Sequence, residues 1–152
     1  MNIVKTIEQY NEDFIYFCEP IKNNIMNEGK FIRIIYSTPF IILNGIYILI
    51  HISYTSIDKY YNKFKCNFDV SKHSNIIEKL CILEDGILKK SDIQGKTPQY
   101  KLNEQLKTGN IKFLLNNASS NIEKNTSSFL LKIAGVWETE TEYGLTYKFI
   151  LP

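Results

Sequence analysis

The most regular alternation of polar and apolar positions lies in residues 63–70. Its apolar positions are Phe64, Cys66, Phe68 and Val70, which are separated by polar residues. A period of two predicts a β-strand with one face on a core. The run from Phe31 to Tyr54 is rich in β-branched and aromatic residues, which predicts more strand. Asn44-Gly45 favours a two-residue turn, so we expect a hairpin that pairs residues 32–43 with 46–54 and has Pro39 at a bend.

Helical spacing is found in two stretches. Apolar residues in 3–18 recur at mostly helical spacing and predict a short N-terminal helix that ends before Pro20 and leads into an irregular arm. After a predicted loop over 55–62, residues 71–83 predict a second helix, with Ser71 or Ser74 as its N-cap. We expect Asp85-Gly86 to end or interrupt that helix.

The C-terminal part of the chain predicts a closing hairpin. Residues 100–106 fit either a strand or a helix, residues 111–115 a short strand, and the polar run 116–128 a loop. The segments 129–137 and 143–151 then pair across an acidic turn. The sequence therefore predicts a mainly β protein with minor α.

The order of these elements suggests an architecture. Three antiparallel strands, a helix and two more strands is the order of a five-stranded OB-fold-like antiparallel barrel, with the helix between strands 3 and 4. An incomplete β-sandwich with an appended helix is the alternative. A length of 152 residues predicts one domain. We expect an N-terminal helix or arm over 1–30 and the barrel over 31–152, with an insertion over 91–128.

Charge is unevenly distributed, although the net charge is only +2. Residues 1–28 hold two lysines against five carboxylates, whereas residues 59–112 hold eleven lysines against six carboxylates. Charged and polar interruptions argue against a membrane span in residues 31–54. Three widely spaced cysteines indicate a reducing, intracellular compartment. We find no catalytic motif and no metal-ligand set, and we expect no enzyme activity and no cofactor.

Basic and aromatic residues on predicted strands are the remaining candidate chemistry. Binding of single-stranded nucleic acid needs positive charge along the phosphates and flat rings on which bases stack. The basic candidates are Arg33, Lys63, Lys65, Lys132 and Lys148, and the aromatic ones are Tyr36, Tyr47, Tyr100, Trp137 and Tyr143. Alternation places Tyr147 inside with Leu145 and Phe149, whereas Trp137 is equally compatible with either face.

Several blocks resemble a known family. They are FCEPIKN at residues 17–23, FIRIIYS and LNGIYIL in the first strands, and LLKIAGVWETETEYGLTYKF near the C-terminus. These blocks are similar to the single-stranded DNA-binding proteins of large nucleocytoplasmic DNA viruses, which are themselves similar to bacteriophage T7-type OB-fold binding proteins. The resemblance implies an OB-fold that coats single-stranded DNA without sequence preference in replication, recombination or repair. The positions that it carries over are Arg33, Tyr36, Tyr47, Trp137, Tyr143, Tyr147 and Lys148.

The resemblance also sets expectations for partners and location. It implies single-stranded DNA as ligand and a location in the host cytoplasm or nucleus, and it leaves RNA, a homodimer and replication proteins open as further partners. The acidic C-terminal tail common in that family is not seen before Pro152, which leaves partner recruitment open. The alternative function is a protein-interaction module, a virion or host-interacting factor, that uses an exposed aromatic patch.

Overall fold

The structure, a computed structural model, describes residues 3–22, 29–114 and 128–152. Two helices, α1 (Ser74–Lys90) and α2 (Lys101–Lys107), and two 3₁₀ turns, Glu12–Phe14 and Val70–His73, accompany the strands. The strands are β1 (Val4–Thr6), β2 (Ile15–Phe17), β3 (Ile21–Lys22), β4 (Lys30–Ser37), β5 (Ile42–Asn44), β6 (Ile46–His51), β7 (Tyr54–Tyr60), β8 (Lys63–Phe68), β9 (Thr97–Gln99), β10 (Asn110–Leu114), β11 (Ser128–Glu138) and β12 (Glu142–Ile150). The prediction of a mainly β protein with minor α is confirmed.

The closing hairpin β11–β12 forms the centre of a sheet to which the described residues contribute twelve strands. The second edge of β11 pairs with β6 along its first half and with β4 along its second half. The second edge of β12 pairs with β9 and β10, after which β8 and β7 follow. Among the described strands no pairing joins β7 back to β1, so this sheet is open. The predicted five-stranded barrel is therefore not confirmed.

A bulge allows β11 to change partners. The register with β12 shifts between Ile133 and Gly135, and a bulge increases the local bend and twist of a strand. A Cβ atom at Gly135 would collide with the carbonyl oxygen of Ile32 on β4 and lie 2.8 Å from the ring of Phe31. Glycine therefore lets β4 approach β11 closely at the point where β6 ends its pairing.

The core lies between one face of the sheet and the two helices. Its largest buried side chains on β11 and β12 include Phe129, Leu131 and Phe149, and α1 contributes Leu80 and Ile87. The carboxylate of Glu84 on α1 is fully buried and accepts hydrogen bonds from two amides in the first turn of α2, those of Leu102 and Asn103, both at 3.0 Å. One helix thus caps the other and fixes both on the inner face.

Two predictions for the N-terminal half are wrong. The predicted helix over residues 3–18 is instead β1, a 3₁₀ turn and β2, because β1 pairs in parallel with β6 and Asn11 caps the turn. The predicted hairpin about Asn44-Gly45 is also wrong. The hairpin turn lies at residues 38–41 and contains Pro39. At Gly45 (φ 91°) the chain stops pairing with β4 and begins to pair with β11.

Two further details differ from the prediction, while the alternation in β8 is confirmed. Residues 54–60 form β7 rather than a loop, and Tyr61 makes the turn into β8 with φ 57°. Helix α1 continues through Asp85-Gly86 to Lys90, and Gly86 gives room for the Glu12 carboxylate, which would lie 2.9 Å from a Cβ there. Residues 100–106, which fit strand or helix by pattern, are mainly α2. The predicted loop 116–128 lies outside the described residues except for Ser128, which begins β11.

Candidate nucleic-acid interface

The face of the sheet opposite the helices carries a concentration of positive charge. We call it the open face. Alternation and strand pairing place six basic side chains on it: Arg33, Lys63, Lys65, Lys112, Lys132 and Lys148. They lie on five strands that are neighbours in the order β4, β11, β12, β10 and β8. With strands about 4.8 Å apart, the charges extend about 19 Å across the sheet.

These six basic side chains have no carboxylate partner among the described residues. The four ion pairs of the described chain involve other lysines, Lys79, Lys89, Lys96 and Lys101. Asp58, at one end of the open face, accepts a hydrogen bond from the Asn67 amide at 3.0 Å. Glu142 occupies the same face at the start of β12. The positive charge of the open face is thus largely uncompensated within the described chain.

Lysines even stand directly opposite one another on neighbouring strands. Lys132 is the register partner of Lys148, and Lys65 is the register partner of Lys112. Cβ atoms of such partners are about 4.5–5.5 Å apart, and like charges placed opposite each other destabilise a sheet. An arrangement that works against stability and brings cations together is well suited to a bound polyanion.

Aromatic rings lie on the open face beside these charges. Trp137 is half-buried and lies over Gly144, whose Cβ, if present, would be 2.8 Å from the Trp137 Cζ2 atom. Phe31 is the register partner of Trp137 on β4. Farther along, the ammonium of Lys132 lies 5.6 Å from the ring centroid of Tyr47. The face therefore combines flat rings with cations, the two elements that single-stranded nucleic acid requires.

Two depressions formed by described residues open on this face. The smaller, with a volume of about 160 Å³, is lined by Phe31, Arg33, Asn44, Lys132 and Ala134. The larger, about 540 Å³, lies at the β7–β8–β10 end and is lined by Asp58, Tyr60, Lys63, Phe64, Lys65, Lys112 and Phe113. Both are open to solvent, and each holds at least one cation that has no carboxylate partner among the described residues.

The structure brings together seven of the eleven residues predicted for the site: Arg33, Tyr47, Lys63, Lys65, Lys132, Trp137 and Lys148. The other four, Tyr36, Tyr100, Tyr143 and Tyr147, are not on the open face. The lysines of β8 lie where the alternation predicts them, because the alternation is uninterrupted along that strand. Trp137, whose face the sequence left undecided, is half-buried and lies on the open face.

Tyr36 and Tyr143 are buried, so the prediction that they present rings for stacking is wrong. Tyr36 is 1% exposed and its hydroxyl accepts a hydrogen bond from the Asn11 amide at 3.0 Å. Its ring also meets Phe14 edge-on, at a centroid distance of 5.8 Å. Tyr143 is 8% exposed on the inner face. Both rings serve the core.

Tyr147 and Tyr100 bind to the helices instead. The Tyr147 hydroxyl donates to Gln105 of α2 at 2.7 Å, and burial raises the pKa of this phenol, which keeps it a neutral donor. The placement of Tyr147 inside by alternation is confirmed. Tyr100 donates to Asp85 of α1 at 3.0 Å. Neither hydroxyl lies on the open face.

Three residues of this surface are absent from the predicted site, namely Phe31, Tyr60 and Lys112. Tyr60 falls in the predicted loop, and Phe31 precedes the incorrectly predicted hairpin. The alternation of Asn110 to Leu114 could have placed Lys112 outside, because Ile111 and Phe113 are buried.

The chain matches no protein-family profile, no curated protein and no solved structure. Within the described part of the chain, no helix is long and apolar enough to cross a membrane. No three His, Cys, Asp or Glu side chains of the described residues are grouped as metal ligands would be.

Proposed function

We propose that the protein binds single-stranded DNA without sequence preference through the open face of its sheet. The observation that carries this proposal is the placement of six basic side chains, unpaired among the described residues, with Trp137, Phe31 and Tyr47 on that one face. Cations follow the phosphates whatever the sequence, and every base offers a ring for stacking. Replication, recombination or repair of viral DNA is the role that this binding would serve.

The shape of the surface favours a single strand over a duplex. Half-buried rings on a sheet can stack only with bases that are not already paired. A strand lying across the sheet would meet a cation on each of five successive strands.

The proposal makes a quantitative prediction about salt. If all six cations contact phosphates, log K should fall with log salt concentration with a slope of about −4 for a single strand. Raising the salt from about 50 to 200 mM would then weaken binding roughly 300-fold. Stacking on aromatic rings adds a smaller contribution that depends little on salt.

Fluorescence anisotropy with a labelled oligo-dT and a duplex of the same length tests this. The expected result is binding of the single strand with a steep salt slope and a clear preference over the duplex. Oligo-dA and mixed sequences should bind within about tenfold of oligo-dT, because stacking strength alone distinguishes them. Affinity that ignores salt, or that favours the duplex, would overturn the proposal.

A relationship to the OB-fold is part of this proposal. The order of a strand-rich segment, one long helix and a closing hairpin supports it, as do the blocks that resemble viral DNA-binding proteins. The open sheet and the number of strands differ from a five-stranded barrel. We propose that the sheet is an extended derivative of such a barrel.

A second candidate function rests on the β4–β5 hairpin. Phe40 at its tip is 92% exposed and Ile42 is 74% exposed. Thr38 holds the turn, since its hydroxyl accepts from the amides of Phe40 and Ile41, both at 3.2 Å. An ordered turn that presents an apolar ring is suited to contact with a protein partner. Phe40→Ser would abolish self-association or partner binding if this hairpin is the contact, and would leave DNA affinity unchanged.

A further inference from the structure

The larger depression on the open face is lined by three cations, whereas the smaller one is lined by two. Three of its lining side chains, Lys63, Lys65 and Lys112, are lysines, and Asp58 is its one carboxylate. Lys65 and Lys112 are register partners on β8 and β10. Although Asp58 is the register partner of Lys65, no ion pair within 4.0 Å joins them. The residues that line it thus carry a formal net charge of +2.

An aromatic pair stands at the rim of this depression. Tyr60, which lines it, is 70% exposed, and Tyr61 in the adjoining turn is 80% exposed. Their rings meet edge to face, with centroids 4.7 Å apart. Tyr61 has φ 57°, a conformation that costs a residue with a Cβ about 1–2 kcal/mol and that glycine or asparagine adopts more readily. An aromatic residue held there at a cost in stability indicates a use for its ring.

An internal phosphodiester carries one negative charge. Three lysines around a single hollow, offset by one carboxylate, instead match a group with two charges. A terminal phosphomonoester carries about −1.5 to −2 at pH 7, because its second pKa is about 6, and it has three acceptor oxygens. The neighbouring Tyr60 ring offers a stacking surface for the base of the same nucleotide.

We propose that this depression is an end-binding subsite, which holds a terminal nucleotide with its phosphomonoester among Lys63, Lys65 and Lys112 and its base against Tyr60. The inference rests on the proposed binding of single-stranded DNA and deepens it. The depression would bind the terminus of the strand, and the rest of the open face would bind its internal phosphates. Whether the 5′ or the 3′ phosphate is preferred is decided by the experiment, because the shared chemistry is the monoester dianion.

The test is competition of unlabelled oligonucleotides against an internally labelled oligo-dT on the full chain. Three competitors of one length and sequence carry a 5′-phosphate, a 3′-phosphate or no terminal phosphate. We expect one phosphorylated form to compete about tenfold better, as one added charge-assisted contact would produce. The preference should shrink as pH falls through about 6, where the monoester loses its second charge.

Two variants locate the effect. Lys65→Gln should remove the preference for the terminal phosphate, whereas Lys132→Gln, a matched change elsewhere on the open face, should weaken all three competitors equally. Tyr61→Gly, which relieves the backbone strain, should keep or raise stability while it weakens end binding. Circular dichroism confirms that each variant is folded.

The outcomes separate the two proposals. Equal competition by all three oligonucleotides, with the salt slope retained, overturns the end-binding subsite and leaves the proposed function standing. A preference that Lys132→Gln removes as well as Lys65→Gln overturns the location in this depression. Absence of binding by every oligonucleotide overturns both proposals.

Discussion

Replacing Lys148 by glutamate should make the protein more stable and a weaker DNA binder. Lys148 is exposed on the open face, directly opposite Lys132 on β11. Two like charges about 6 Å apart repel by about 0.7 kcal/mol in water, and salt reduces this. Lys148→Glu turns that repulsion into attraction. The change should raise the free energy of unfolding by about 1 kcal/mol at low ionic strength, within the range measured for cross-strand pairs.

The stability assay is urea unfolding at low salt and again at about 1 M NaCl, where the Debye length is only about 3 Å. With an m-value of about 2 kcal/mol/M, the midpoint should shift upward by about 0.5 M urea at low salt. At high salt the shift should nearly vanish. A gain that persists at high salt would mean that the charge of Lys148 is not its cause.

The binding assay uses the same variant with oligo-dT. One lost phosphate contact should reduce the magnitude of the salt slope by about 0.7. Lys72→Glu is the control, because it changes the net charge equally but lies in the 3₁₀ turn before α1, away from the open face. Destabilisation by Lys148→Glu at low salt, or equal loss of affinity in both variants, would refute the reasoning.

Two further predictions concern Glu84 and Gly144. Burial raises the pKa of Glu84 above its ordinary value of 4.5, so the folded state binds this proton more tightly and stability should fall as pH rises from about 4.5 through the raised pKa. Glu84→Gln should remove that slope, as urea unfolding at several pH values would show. An unchanged slope would assign the titration to other groups. Gly144→Ala should displace the Trp137 ring and shift its fluorescence emission. Gly95→Ala strains the backbone at φ 76° but places its Cβ within 4 Å of no other atom, so it should leave that emission unchanged. Identical emission in both variants would contradict the contact.

The parts of the fold that could be predicted are those in which local pattern and long-range pairing agree. The alternation of β8 and the closing hairpin are examples, because one face of each strand is uninterrupted. Helix α1 is predictable for the same reason. The length of α1 is not predictable, because Asp85-Gly86 suggests that the helix ends there. The reason for a glycine inside the helix is the nearby Glu12 carboxylate, which the sequence does not reveal.

The remaining errors have a common physical cause. Asn44-Gly45 has the chemistry of a hairpin turn, yet Gly45 serves as a bend. The close approach of β11 decides the path there, because the Ile133 carbonyl oxygen would lie only 3.1 Å from a Cβ atom at Gly45. The N-terminal strands exist only through pairing with β4 and β6. The local sequence pattern does not reveal such distant strand partners. It also does not indicate which tyrosines fill the core, as Tyr36 illustrates.

The most direct test of the central claim is the fluorescence of Trp137, the one tryptophan of the chain, during titration with oligo-dT. Its half-buried ring lies on the open face over Gly144. Stacking or close approach of a base should quench the emission in proportion to binding, and added salt should restore it. Binding of oligo-dT detected by anisotropy with no change in Trp137 emission would contradict the account, because the strand would then lie elsewhere on the protein.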